Sequence, residues 1–135
     1  MLQYLRSTNS DSVISPQENL QSGSWVRCER PSDEEVSQLL TLGLDEDLIS
    51  DALDPHEVPR IEFDDEWTYL IARLPDTDDD FNDFTTPILF CINKDHIVTL
   101  SRDSLGRLWQ PFIDKMRIRT DRQVELLVAM VEAIS

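Results

Sequence analysis

The sequence predicts an α+β layered domain: a mostly antiparallel sheet with helices before and after it. Three observations carry that prediction. Two pairs of alternating runs, 58–63 with 67–74 and 86–92 with 96–101, are each joined by a short polar turn and read as hairpins. Two capped helical stretches precede them, and two apolar-faced stretches follow. At 135 residues the chain fits one domain, long enough to bury a core without disulfide or metal.

Leu2 to Leu5 predicts a short edge strand, and Ser7 to Gly23, rich in Ser, Asn, Gln and Asp, predicts a loop or linker. Residues 1–23 therefore read as an N-terminal strand and linker, and 24–135 as the domain proper. Ser24 to Glu29 alternates as a strand with Trp25 and Cys28 as candidates for its buried side. Ser32 predicts an N-cap, with Glu35 completing a capping box; Asp33, Glu34 and Glu35 suit the positive end of that helix. Val36, Leu39 and Leu40 form its inner stripe, and Gly43 ends it. Asp45 caps a second helix, with Leu44 and Ile49 as a staple and Pro55 as its stop. Asp64, Asp65 and Glu66 make the first hairpin turn; Asn93, Lys94 and Asp95 make the second. Ser104 to Met116 is amphipathic despite Pro111. Thr120 reads as the start of the last helix, with Gln123 as its capping-box partner. From Val124 to Ile134 that helix is apolar almost all round and needs cover on most sides. It reaches Ser135 with no Gly or Pro stop, which reads as a helix truncated in mid-course.

The net charge is −15 and is concentrated in the middle of the chain. From Glu29 to Asp83 there are 19 acids against 3 bases; from Phe84 onward there are 6 against 7. Such a field repels nucleic acid and anionic lipid and attracts cations or basic partners. It also keeps a protein soluble with no further role. Cys28 and Cys91 lie far apart in apolar runs and read as buried thiols in a reducing compartment. The first 24 residues lack a signal-peptide pattern, and no run of about 18 apolar residues appears.

Enzyme chemistry finds no footing. With three glycines, at 23, 43 and 106, there is no phosphate loop. His56 and His96 stand singly, outside zinc-ligand spacing with the cysteines. No Ser or Cys is paired in sequence with a base. The run Asp78-Asp79-Asp80 lacks the Gly and distal Glu of a calcium loop.

One stripe is sharper. Asp47, Asp51 and Asp54 fall at i, i+4 and i+7 on the outer face predicted for the second helix. Like charges at i, i+4 destabilise a helix by roughly 0.2–0.5 kcal/mol per pair, and a hard cation reverses that sign. Carboxylate oxygens suit Mg²⁺, which takes one or two of them and keeps several waters. A second surface must supply the rest, or the stripe is simply solvated.

The stretches SWVRCERPSDEEVSQLL, DLISDALDPHEVPRIEFDDEWTYLIARLP and TPILFCINKDHIVTLSRD resemble the N-terminal cytoplasmic domain of CorA-type divalent-cation (Mg²⁺/Co²⁺) channels. The middle block, with Pro59-Arg60-Ile61-Glu62 before an acidic turn and an apolar strand, is the most specific. The resemblance implies an α/β/α layering, with helices on both faces of a mixed sheet. It implies a homo-oligomer, a pentamer in the full channel, on the cytoplasmic face of the cell membrane. The membrane helices and the Gly-Met-Asn motif would lie beyond these residues. It implies regulatory Mg²⁺ held between subunits, weakly by this domain alone, and it places the domain-side carboxylate on Asp51. Asp47 and Asp54 come from helical spacing alone. The sequence departs from the family at Ser50, where Glu is frequent, and at Leu44-Asp45, where His-Pro is frequent. Two other readings stand beside it. One is a ZntB-like zinc transporter domain, against which the lack of clustered His and Cys argues. The other is an acidic module that docks a basic protein through the 45–54 and 76–83 surfaces.

Overall fold

The computed structural model describes residues 1–9, 12–77 and 80–135. In chain order the elements are β1 (Leu2–Arg6), β2 (Ser15–Gln17), β3 (Ser24–Glu29), α1 (Asp33–Leu40) and α2 (Glu46–Ala52). Then come β4 (Arg60–Phe63), β5 (Thr68–Thr77), β6 (Asp83–Ile92), β7 (His96–Ser101), α3 (Gly106–Lys115) and α4 (Gln123–Ile134). The seven strands form one mixed sheet in the order β2-β1-β3-β7-β6-β5-β4. Every pairing is antiparallel except β3 with β7, which is parallel and runs from Ser24–His96 to Glu29–Ser101.

Both predicted hairpins form, as β4–β5 and β6–β7. The N-terminal region differs from expectation. β1 lies inside the sheet between β2 and β3, and the edge belongs to β2, within the stretch expected to be loop. A three-residue strand containing Pro16 carries too weak a pattern to stand out, and Pro belongs on an edge.

All six residues of β3 are buried. The two-residue pleat sends Trp25, Arg27 and Glu29 to one face and Val26 and Cys28 to the other, so Trp25 and Cys28 do not share a side. Each is buried because helices cover both faces, the usual setting for parallel pairing. On one face, Leu39 of α1 and Leu48, Ile49 and Ala52 of α2 pack on Val26, Tyr69, Leu89 and Val98. On the other, Trp109 and Phe112 of α3 and Leu126 and Met130 of α4 pack on Trp25, Phe90 and Ile97. Trp25, Trp109 and Phe112 meet edge to face at centroid distances of 5.2–5.9 Å, the geometry aromatic quadrupoles favour.

Capping follows the sequence for α1 and α2. Ser32 and Glu35 form the reciprocal capping box, and Asp45 accepts the N–H groups of Asp47 and Leu48. Gly43, at φ +89°, takes the left-handed conformation in the turn after α1. At α4 the expectation fails. The helix begins at Gln123, and Thr120 is fully buried. Its hydroxyl accepts the Ser7 N–H at 2.8 Å and donates to the Gly23 carbonyl at 2.6 Å. Gln123 instead donates to the Lys94 carbonyl at 2.9 Å. Tertiary bonding to β1 outcompetes a local cap that would satisfy fewer buried groups. Leu126 and Met130 of α4 are buried, whereas Val124 and Val128 are exposed.

Candidate functional site

The candidate site lies where the end of α2 meets the start of β4. Register determines what meets there. Arg60 pairs with Ile71 and Glu62 with Tyr69, both on the sheet face that α1 and α2 cover. The pleat therefore turns Arg60 toward α2, while Ile61 and Phe63 sit on the opposite face. The turn between them is bounded by Pro55 and Pro59. Arg73 on β5 fixes it, donating to the Glu57 carbonyl at 2.8 Å and to Thr85 on β6.

Arg60 gathers three carboxylates. Its Nη2 donates to Asp51 Oδ2 at 2.6 Å, its Nη1 to Glu57, and its Nε to Glu62 Oε1 at 3.2 Å. Burial works to lower the Arg60 pKa, but the hydrogen bonds and charges of Asp51 and Glu57 prevail and raise it. Asp51 needs such a partner. It sits in the last turn of α2, at the negative end of the helix dipole, with Asp47 one turn before it and no basic residue in that turn.

Of the three predicted ligands, α2 holds Asp47 and Asp51 but ends at Ala52. Asp54 lies outside the helix, where its side chain accepts the His56 N–H at 2.9 Å. The expected i, i+7 stripe is broken because Leu53 closes the helix two residues before Pro55, whose ring excludes a preceding helical turn. Asp47 is exposed beside the N-cap. Among the described residues no three His, Cys, Asp or Glu side chains come together to hold a metal ion. Asp51, 40% exposed, offers one hard carboxylate. That fits one side of a cation site shared with a second surface, and not a complete site within one chain. Asp78 and Asp79 lie outside the described residues.

The N-terminal end of α2 is fixed by a second network. The Tyr69 hydroxyl accepts the Asp45 N–H at 2.9 Å and donates to Asp64 Oδ2 at 2.7 Å. Asp64 Oδ1 also accepts the N–H groups of Glu66 and Trp67. Burial alone would raise the Asp64 pKa; the Tyr69 hydroxyl and the two N–H groups outweigh it and hold the carboxyl below its ordinary value. Trp67 Nε1 donates to the Leu42 carbonyl at 3.3 Å. The acidic turn thus clamps the loop that leads into α2.

Neither network emerged from carboxylate spacing. Arg60 carries no charge-spacing signal of its own, although strand parity alone puts it on the face of α2. His96 opens β7, half-buried; burial lowers its pKa against the pull of Asp95. Among the described residues its Nδ1 has no hydrogen-bond partner.

The profile of the family described as "CorA-like Mg2+ transporter protein" matches residues 21–134. The cobalt/magnesium transport protein CorA of Methanocaldococcus jannaschii is 30% identical over 88 residues, 62% of this chain and 27% of that protein. The soluble domain of CorA from the same organism superposes with a TM-score of 0.77 at 22% identity, over 97% of this chain and 55% of that one. The ZntB cytoplasmic domain from Vibrio parahaemolyticus gives 0.65 at 14% identity, over 98% and 56%. This chain therefore spans about a quarter of the curated relative and about half of each of these two solved domains. No helix among the described residues is long and apolar enough to cross a membrane. The mixed sheet with helices on both faces is the fold of the CorA soluble domain. With all but 21 of its residues inside that family match, the chain belongs to the CorA-like Mg²⁺ transporter family.

Proposed function

We propose that this chain is the ion-sensing, cytoplasmic domain of a CorA-type divalent-cation transporter, acting by binding and assembly and not by catalysis. It works as part of a homo-oligomer, a pentamer on the family resemblance. Asp51 supplies the domain-side carboxylate of a regulatory site completed by the neighbouring subunit, with Asp47 adding negative field from one helical turn away. A bound Mg²⁺ supplies positive charge between two acidic surfaces. The chain's own part is to present those surfaces. Unneutralised, they repel and loosen the ring; neutralised, they favour the closed arrangement, a shift of population between two states.

The observation that carries this reading is the position of Asp51. It projects, partly exposed, from the last turn of a helix that Asp45, Tyr69 and Asp64 clamp to the sheet. The test is ion flux through the full-length transporter. Asp51→Asn should raise the Mg²⁺ concentration needed for inhibition by at least about fivefold, the lower range of allosteric coupling. Unchanged inhibition removes Asp51 from the mechanism.

The likeness to the ZntB cytoplasmic domain favours a second reading, a domain of a zinc transporter. Flux measured with Zn²⁺ against Mg²⁺ separates the two.

A further inference from the structure

We propose that Arg60 is a tethered counter-cation: it holds one oxygen of the Asp51 carboxylate in cis, competes with a divalent ion for that carboxylate by charge and by position, and so sets the concentration at which the site responds. This rests on the reading of Asp51 as a regulatory ligand and adds a competitor built into the same chain.

The geometry carries the proposal. The 2.6 Å contact from Nη2 is made to Asp51 Oδ2, an oxygen that a cation bound by this carboxylate would draw on. One guanidinium serves Asp51, Glu57 and Glu62, so the group retains a net charge of two negatives while Arg60 is in place. Withdrawing Arg60 from Asp51 leaves that carboxylate facing the α2 dipole and Asp47 alone. The exchange is physically open. Asp51 is 40% exposed and Arg60 26%, and Glu57 and Glu62 retain the guanidinium after Asp51 lets go. Arg73 pins the Glu57 backbone, so the released arm stays on β4 and can return. Lysine would keep the charge but lose the planar fork that reaches three acids at once.

The test uses the purified chain and Mn²⁺ as a paramagnetic probe, read as broadening of the amide NMR signals of residues 49–53. Arg60→Gln should bring half-broadening at about one fifth of the wild-type Mn²⁺ concentration, the most a partly exposed ion pair usually contributes. Arg60→Lys should lie between the two, and Arg60→Gln with Asp51→Asn should lose the gain. In the wild-type chain, added Mg²⁺ should move the Arg60 guanidinium resonances in the direction that Asp51→Asn moves them without metal, a readout independent of any substitution at Arg60. Equal Mn²⁺ response in wild type and Arg60→Gln, with Asp51→Asn still weakening it, overturns the competition and leaves the sensing role of Asp51 standing. Broadening that ignores Asp51→Asn also overturns the competition, whereas the sensing role of Asp51 stands or falls on flux through the full-length transporter. Guanidinium resonances that do not respond to Mg²⁺ also overturn the competition.

Discussion

Glu29 Oε1 accepts the backbone N–H of Leu105 at 2.7 Å, so a carboxylate at the end of β3 caps a helix 76 residues further along the chain. The residue at the N-cap of α3 has no side-chain cap of its own, and Glu29 takes that place from within the sheet. The same carboxylate pairs with Arg27, and both side chains are almost fully buried. Removing one partner strands a buried charge. Glu29→Ala should lower unfolding free energy by about 3–5 kcal/mol; replacing both residues with Met removes the stranded charge but leaves the Leu105 N–H without its acceptor, and should recover only part of that loss. Urea unfolding of the single and double variants checks it; equal losses in both would show that the Leu105 cap and packing, and not the charge pair, carry the effect.

The two thiols should be chemically silent in the folded protein. Burial pushes Cys28 up to about 12, helped by the nearby Glu35 charge, and burial raises Cys91 well above its usual value. Because the thiolate is the nucleophile, both should react with a disulfide reagent at pH 8 only as fast as the protein opens. Rapid labelling of either at that pH contradicts the packing of the α1/α2 face.

Gly43→Ala should destabilise by about 1–2 kcal/mol, the penalty for a Cβ in the left-handed region. The new methyl would also come within 2.8 Å of Glu66 Oε2, but that carboxylate is a mobile end and can turn aside. Adding Glu66→Ala should therefore restore little. Thermal unfolding of the two variants distinguishes strain from crowding.

Asp64 gives a pH prediction with a definite sign. Its folded pKa is depressed, so its contribution is present above the ordinary aspartate value and is lost as pH falls through the folded value. Below about pH 4, stability should therefore decline more steeply in the wild type than in Asp64→Asn, which has no carboxyl to protonate. Melting temperatures between pH 6 and pH 3 read the difference in slope; parallel curves would remove Asp64 from the acid response.

Much of this architecture was legible because local signals agreed with the fold. The Ser32–Glu35 box, the Asp45 cap and both hairpins are short-range devices, and each formed as the residues indicate. The misses have two causes, distance along the chain and brevity. Thr120 and the place of β1 depend on partners at least 18 residues away, which no short window of sequence contains, and β2 pairs with β1 through a run of three residues too short to show a pattern. The candidate site is divided the same way. Helical spacing and family likeness single out Asp51 only as a candidate, and its pairing with Arg60 depends on the register of β4 against β5. Asp54 was misplaced because a seven-residue helix stops before the spacing argument can reach it.

Thr120 has a mechanical consequence. Its backbone N–H and hydroxyl rivet the approach to α4 to Ser7 and Gly23, at the mouth of β1 and β3. One end of α4 is thus hinged to the sheet, while its exposed valines leave the outer side ungripped. A turning moment applied near Ile134 is therefore shared between that joint and the inner face of α4 seated on Phe90 and Ile97, and it reaches the sheet instead of being absorbed in slack chain.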